Sequence, residues 1–178
     1  MTRRELLVAL GGSAVSAACG YSLAGRGSFL PSYIRLIAVP LFLNRTQYVG
    51  LEQLFTEKVR VEFQGRGRYS VKPTEEGADG VVRGDITGIS ASPVGFTDTQ
   101  LASRYRFTVS VAVKFDDLRQ QKTLWENPAL SFSDEYELAS RTSIALAGAA
   151  FLDQERVAID RLSTDFARSV VQAILEAF

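Results

Sequence analysis

From residue 104 to residue 115 the chain alternates strictly. Tyr105, Phe107, Val109, Val111, Val113 and Phe115 fall on one parity; Arg104, Arg106, Thr108, Ser110, Ala112 and Lys114 fall on the other. Side chains alternate across a strand, so this pattern predicts one buried face and one face that is wet or meets a partner. Val81–Phe96 reads as a second long strand. Its apolar positions change parity at Gly88, from Val82, Gly84 and Ile86 to Ile89 and Ala91, which predicts a bulge there. Leu124–Leu138 is a third, irregular around Pro128, and Arg68–Lys72 a short fourth closed by Pro73. The apolar run Ile34–Leu43 suggests a buried strand with Pro40 near its end.

Two segments carry the helical period instead. Leu51, Leu54, Phe55, Val59 and Phe63 recur at three- and four-residue steps before Gly65 and Gly67 end the pattern. Ile159, Leu162, Phe166, Val170, Ile174 and Leu175 make the stripe of a last helix expected to begin near Asp153, after the small-residue stretch Ala139–Ala150. The order is β-α-β-β-β-β-α. Two amphipathic helices need a surface to cover, and a sheet with one apolar face supplies it. The expected fold is α+β: a two-layer sandwich, with a mostly antiparallel sheet of four to five strands and both helices on one face. With no repeat and no internal linker, residues 34–178 read as a single domain.

The 178 residues carry 20 Lys and Arg against 20 Asp and Glu, a balance unlike that of a nucleic-acid binder. The chain contains no histidine, so no Ser-His-Asp or Cys-His arrangement and no histidine metal site can be drawn. Gly65-Arg66-Gly67 follows a helical pattern instead of opening one, so it is no phosphate loop. Carboxylate chemistry would have to use Asp116, Asp117, Asp134 or Glu135. Adjacent acids on a strand point to opposite faces, so neither doublet makes a convergent pair by itself. The chain is expected to be non-enzymatic, with no metal and no cofactor.

The lone cysteine, Cys19, directly follows a positively charged start (Arg3, Arg4), a mostly apolar stretch Leu6–Ala18, and the small residues Ser16-Ala17-Ala18. That is the layout of a secretory signal peptide over residues 1–18. A cysteine at the cut resembles a bacterial lipobox, with Ser16 where leucine is usual, and would carry a covalent lipid. The alternative is an ordinary signal peptide followed by a buried cysteine. The apolar run is about 13 residues, against the roughly 20 needed to span a bilayer. Thr2–Leu7 faintly resembles a twin-arginine signal, so the export route stays open. Residues 19–33, rich in Gly and Ser, read as a lipidated tether.

The stretch Cys19-Gly20-Tyr21-Ser22-Leu23-Ala24-Gly25-Arg26 resembles the start of the mature LptE-type lipopolysaccharide-assembly lipoproteins of Gram-negative bacteria. The following strand, helix and element order are similar to that family's as well. The resemblance implies a lipoprotein at the inner leaflet of the outer membrane, facing the periplasm. It would lie within a large LptD-like β-barrel, plug and support it, and bind lipopolysaccharide for delivery to the surface. Gly20 fits outer-membrane sorting.

A protein lodged in a barrel needs polar surfaces that match a wet lumen. Arg104, Arg106 and Lys114 share the polar face of the clearest strand, and guanidinium groups suit bidentate contacts with lipid A phosphates. Arg66 and Arg68, at the turn from helix to strand, are further lipopolysaccharide-binding candidates. The same cations also serve as solvating charges on an exposed strand. Phe96 is either an exposed contact or a core residue. A different role, as an envelope adaptor for a periplasmic enzyme or secretion complex, would use the same anchor and fold.

Overall fold

The computed structural model describes residues 30–66, 68–96, 102–137 and 144–177, side chains at 96, 102–103, 136–137 and 144–154 excepted. The leader, Cys19, the tether through residue 29 and the side chain of Phe96 lie outside the described residues. The elements are β1 (Leu36–Ala38), β2 (Leu43–Asn44), α1 (Leu51–Gly65), β3 (Ser70–Lys72), β4 (Gly80–Phe96), β5 (Ala102–Asp117), β6 (Lys122–Glu137) and α2 (Ile144–Glu176). They form an α+β fold with one six-stranded sheet in the order β3-β1-β4-β5-β6, and β2 pairs β4 beyond the end of β1.

The sheet is mixed. The long meander β4-β5-β6 is antiparallel, whereas β1 runs parallel to both β3 and β4, and β2 runs parallel to β4. The strand count exceeds the expected four to five because the run Ile34–Leu43 splits in two around Pro40. Pro40 has no N–H for a ladder. The Val39 N–H still donates to the Lys72 carbonyl of β3 at 2.9 Å, and helix α1 holds the rest of the break. Arg60 donates from Nε (3.0 Å) and Nη2 (2.7 Å) to the carbonyl of Val39, and the Phe42 N–H donates to Thr56 Oγ1 at 3.0 Å.

Alternation decides which face is buried. On β5, Phe107, Val109, Val111, Val113 and Phe115 are all buried, as their shared parity requires. On β4, Val82 and Ile86 are buried, and the register slips between Ile86 and Gly88, where the parity change predicts a bulge. Thr87 is the extra residue, and beyond it Ile89 turns to pack on the core. A second slip, between Val111 and Val113 of β5, loops out Pro128 and Ala129 of the edge strand β6. A bulge and a proline both discourage further pairing along that edge.

Both helices cover the apolar face. Helix α1 buries Leu51, Phe55, Thr56, Val59 and Phe63. Helix α2 buries Leu162, Phe166, Val170, Val171 and Ile174, and it packs against α1, β5 and β6. Phe166 is the hub. Its ring lies 5.1 Å from Phe55, 6.2 Å from Phe42 and 5.5 Å from Phe132, joining α1, the β1–β2 connection and β6. Helix α2 begins at Ile144, earlier than the expected start near Asp153. The stretch Ile144–Ala150 is mostly alanine, the best helix former, but carries no polar contrast to mark a face.

At the end of the sheet where β4 begins and β5 ends, two buried aspartates tie the elements together. Asp79 Oδ2 accepts the backbone N–H groups of Arg35 and Leu36, each at 2.9 Å, and Oδ1 accepts Arg119 Nε at 2.7 Å. Asp117 accepts the Tyr33 hydroxyl (2.5 Å) and the backbone N–H groups of Arg119 (2.8 Å) and Gln120 (2.9 Å). Leu30, buried, brings the core's first contact ahead of residue 34.

Candidate functional site

With both helices on one side, the opposite face of β4-β5-β6 is left uncovered by any described element, and its chemistry follows from the other parity. Along β5 this face carries Arg104, Arg106, Thr108, Ser110, Ala112, Lys114 and Asp116. Register sets Ser92 and Glu135 beside Arg106, Ser90 and Ser133 beside Thr108, and Ser131 beside Ser110. The centre is therefore a hydroxyl-bearing floor. Thr108 Oγ1 and Ser133 Oγ lie 2.8 Å apart, and Thr87 donates to the Ser110 carbonyl at 3.2 Å.

Charge collects at the two ends of that floor. At one end Arg106 donates to Glu135 Oε1 from Nη2 (2.7 Å) and Nε (3.2 Å), while Arg104 Nη1 stands 3.8 Å from Oε2 of the same carboxylate. Both arginine side chains are about half exposed, at 51% and 50%. At the other end Lys114 Nζ lies 3.3 Å from Asp116 Oδ1. Arg83, on β4 opposite Lys114, reaches Asp116 Oδ2 at 2.7 Å and grips Glu75 with two bonds of 2.9 and 2.6 Å. Hydrogen bonding to Glu75 raises the Arg83 pKa further, so this guanidinium stays charged.

The structure thus brings Arg104 and Arg106 together and separates Lys114 from them. Lys114 stands eight residues further along the strand than Arg106, about 26 Å. Arg66 is elsewhere, at the end of α1, where it bonds Glu62 at 2.7 Å and lines a shallow depression with Gly65, Arg168 and Gln172. Arg68 lies just beyond it, before β3, and does not join the sheet-face clusters in sequence or register. Arg83 escaped the sequence reading. Its parity against Val82 and Gly84 marks it as outward-facing, but its place beside Lys114 depends on the β4–β5 register.

The carboxylates considered for hydrolysis do not converge. Asp116 faces outward among Arg83, Lys114 and Thr123, whereas Asp117 is buried on the Tyr33 hydroxyl. Asp134 meets Arg161 of α2 at 3.1 Å on the helix side, and Glu135 points to the outer face. Among the described residues, no group of three or more acidic, histidine or cysteine side chains could hold a metal ion. No described helix is long and apolar enough to cross a membrane.

A family model for LptE, lipopolysaccharide-assembly, matches residues 34–174, most of the chain. Among solved structures, an uncharacterized lipoprotein B from Nitrosomonas europaea is similar at 12% identity and a TM-score of 0.53, covering 85% of this chain and 90% of that one. A hypothetical protein from Chlamydia trachomatis is similar at 14% identity and a TM-score of 0.51, covering 79% and 97%. At such identities the likeness concerns the fold. The curated proteins gave no match.

Proposed function

Since the chain belongs to the LptE family of lipopolysaccharide-assembly proteins, we propose that it is a non-enzymatic outer-membrane lipoprotein that partners and plugs an LptD-like β-barrel. In this reading residues 1–18 are removed and Cys19 carries the lipid. The tether runs from Cys19 only as far as Leu30, where the core begins, and the domain that follows works on the periplasmic side. The family membership over 34–174 is the observation that carries the reading.

The uncovered sheet face supports the choice of partner and ligand. It is polar and carries neutral hydroxyls between charged ends, a surface suited to a water-filled lumen rather than to lipid. Arg104 and Arg106 present two guanidinium groups on one strand face, with a spacing of about 7 Å between alternate residues. Phosphate groups on lipid A are natural partners for such a pair. Lys114, with Arg83 beside it, supplies a second cationic position on the same face; Arg66 and Arg68 serve the helix end.

Co-purification through a tag placed after Phe178 tests the partnership. A detergent extract is expected to yield a stable complex with a large β-barrel protein, and depletion is expected to remove lipopolysaccharide from the cell surface. Recovery only as a free monomer would overturn the partnership, and a cell-wall or secretion defect with normal surface lipopolysaccharide would instead favour the adaptor role.

A further inference from the structure

Glu135 has no place in the binding reading, yet it occupies the position that an anionic ligand would need. One carboxylate stands between two arginines of β5: Oε1 takes both donors of Arg106, and Oε2 faces Arg104. The arrangement is built by register, since Glu135 sits directly across from Arg106 on β6. All three side chains are partly exposed, so a ligand arriving from solvent can reach them without unfolding. Ser92 on β4 and Thr108 and Ser133 on the neighbouring rung are small and uncharged, which leaves room for a headgroup on that side, while Glu137 lies across from Arg104 in the β5–β6 register.

We propose that Glu135 is a built-in counterion that sets the selectivity of the Arg104–Arg106 pair, excluding singly charged phosphodiester headgroups while yielding to doubly charged phosphomonoesters. This rests on the reading of that face as the anion-binding surface. A phosphate ligand must displace the Glu135 carboxylate and leave it near the new anion. A phosphodiester brings one negative charge, the same as the carboxylate it replaces, so the exchange gains little. A phosphomonoester brings up to two charges and three acceptor oxygens at neutral pH, enough to engage both guanidinium groups at once. The bilayer around an envelope protein is rich in phosphodiester lipids, so a bare arginine pair would be occupied by them. A carboxylate between the arginines removes that competition at the cost of some affinity for the preferred ligand.

The test compares residues 19–178 carrying Cys19→Ser, so that no lipid holds the chain on a bilayer, with the same chain bearing Glu135→Gln or Arg104→Gln/Arg106→Gln, on two kinds of vesicle. One carries phosphatidylglycerol, a phosphodiester, in phosphatidylcholine; the other carries phosphatidic acid, a phosphomonoester, at the same mole fraction. The parent chain should prefer phosphatidic acid by about tenfold, and Glu135→Gln should narrow that gap by gaining about five- to tenfold on phosphatidylglycerol. The double arginine variant should lose binding to both. If Glu135 merely braces the β5–β6 pairing, Glu135→Gln lowers the unfolding midpoint and leaves the lipid preference unchanged, which overturns the proposal. That outcome with arginine-dependent binding intact leaves the binding reading standing. Binding that is indifferent to the double arginine variant rejects the face itself, and the proposal with it.

Discussion

Phe42 packs against the bare Cα of Gly84: a Cβ there would collide with Cδ2, Cε2 and Cγ of the Phe42 ring. The bare Cα of β4 is what lets Phe42 reach Phe166 and lets β2 follow β1 along the same side of β4. Gly84→Ala is expected to cost about 1–3 kcal/mol as the ring is displaced, with the larger end favoured by the backbone's lack of give. Urea denaturation followed by circular dichroism would read the shift; an unchanged midpoint would mean the ring has another place to go.

Phe166→Ala removes the ring that Phe42, Phe55 and Phe132 all meet, and should destabilise the domain by about 3–5 kcal/mol. Phe166→Leu keeps most of the apolar volume and should cost distinctly less. The ordering of the two variants in thermal unfolding checks the hub role. A protein indifferent to both would place the weight of the core elsewhere.

Acid should loosen the clasp at Asp79. Burial pushes this carboxyl's pKa up, but the N–H groups of Arg35 and Leu36 and the Arg119 guanidinium outweigh it, so the value is held below the usual range. The folded state therefore gains stability from Asp79 above the ordinary aspartate pKa of about 3.9, and loses it as pH falls through the lower folded value. Asp117, lowered against its own burial by the Tyr33 hydroxyl and two backbone N–H groups, adds to the same acid limb. Asp79→Asn should lower stability at pH 7 and flatten the decline below pH 4, measured as unfolding midpoint against pH.

Arg104→Glu/Arg106→Glu places two acids beside Glu135 and should weaken lipopolysaccharide binding by about tenfold or more while the fold persists, since both side chains are half exposed. A salt titration of binding gives the check. Equal affinity and equal salt dependence in the variant would remove this face from the binding account.

Mass spectrometry of the mature N-terminus decides the anchor. A diacylglyceryl adduct on Cys19 as first residue is the expected result. An unmodified thiol would leave the domain without the membrane attachment proposed for it.

The strands of the meander were legible in the sequence because each buries one face and wets the other. The switch at Gly88 even located the bulge, since a strand that changes parity has to slip. The break at Pro40 was harder to read. A continuous apolar run hides a turn whose backbone groups are satisfied by Arg60 and Thr56, side chains that lie 14 to 21 residues away. The early start of α2 was missed for the converse reason, as alanines favour helix without marking a face. At the site, Arg104 and Arg106 follow from parity alone. Glu135 as their partner, and Arg83 as the neighbour of Lys114, depend on registers between strands that no single segment encodes.

The short strand β1 lies between β3 and β4, not at the rim of the sheet. On the proposed reading, any pull transmitted from Cys19 enters the domain ahead of this strand. It would load the bonds to both neighbours lengthwise and together, along with the grip of Asp79 on the Arg35 and Leu36 amides. A rim strand under the same tension would peel away one rung at a time. A tether from Cys19 would thus, on that reading, pull on a strand held from both sides at once, as suits a part working between a membrane and a larger partner.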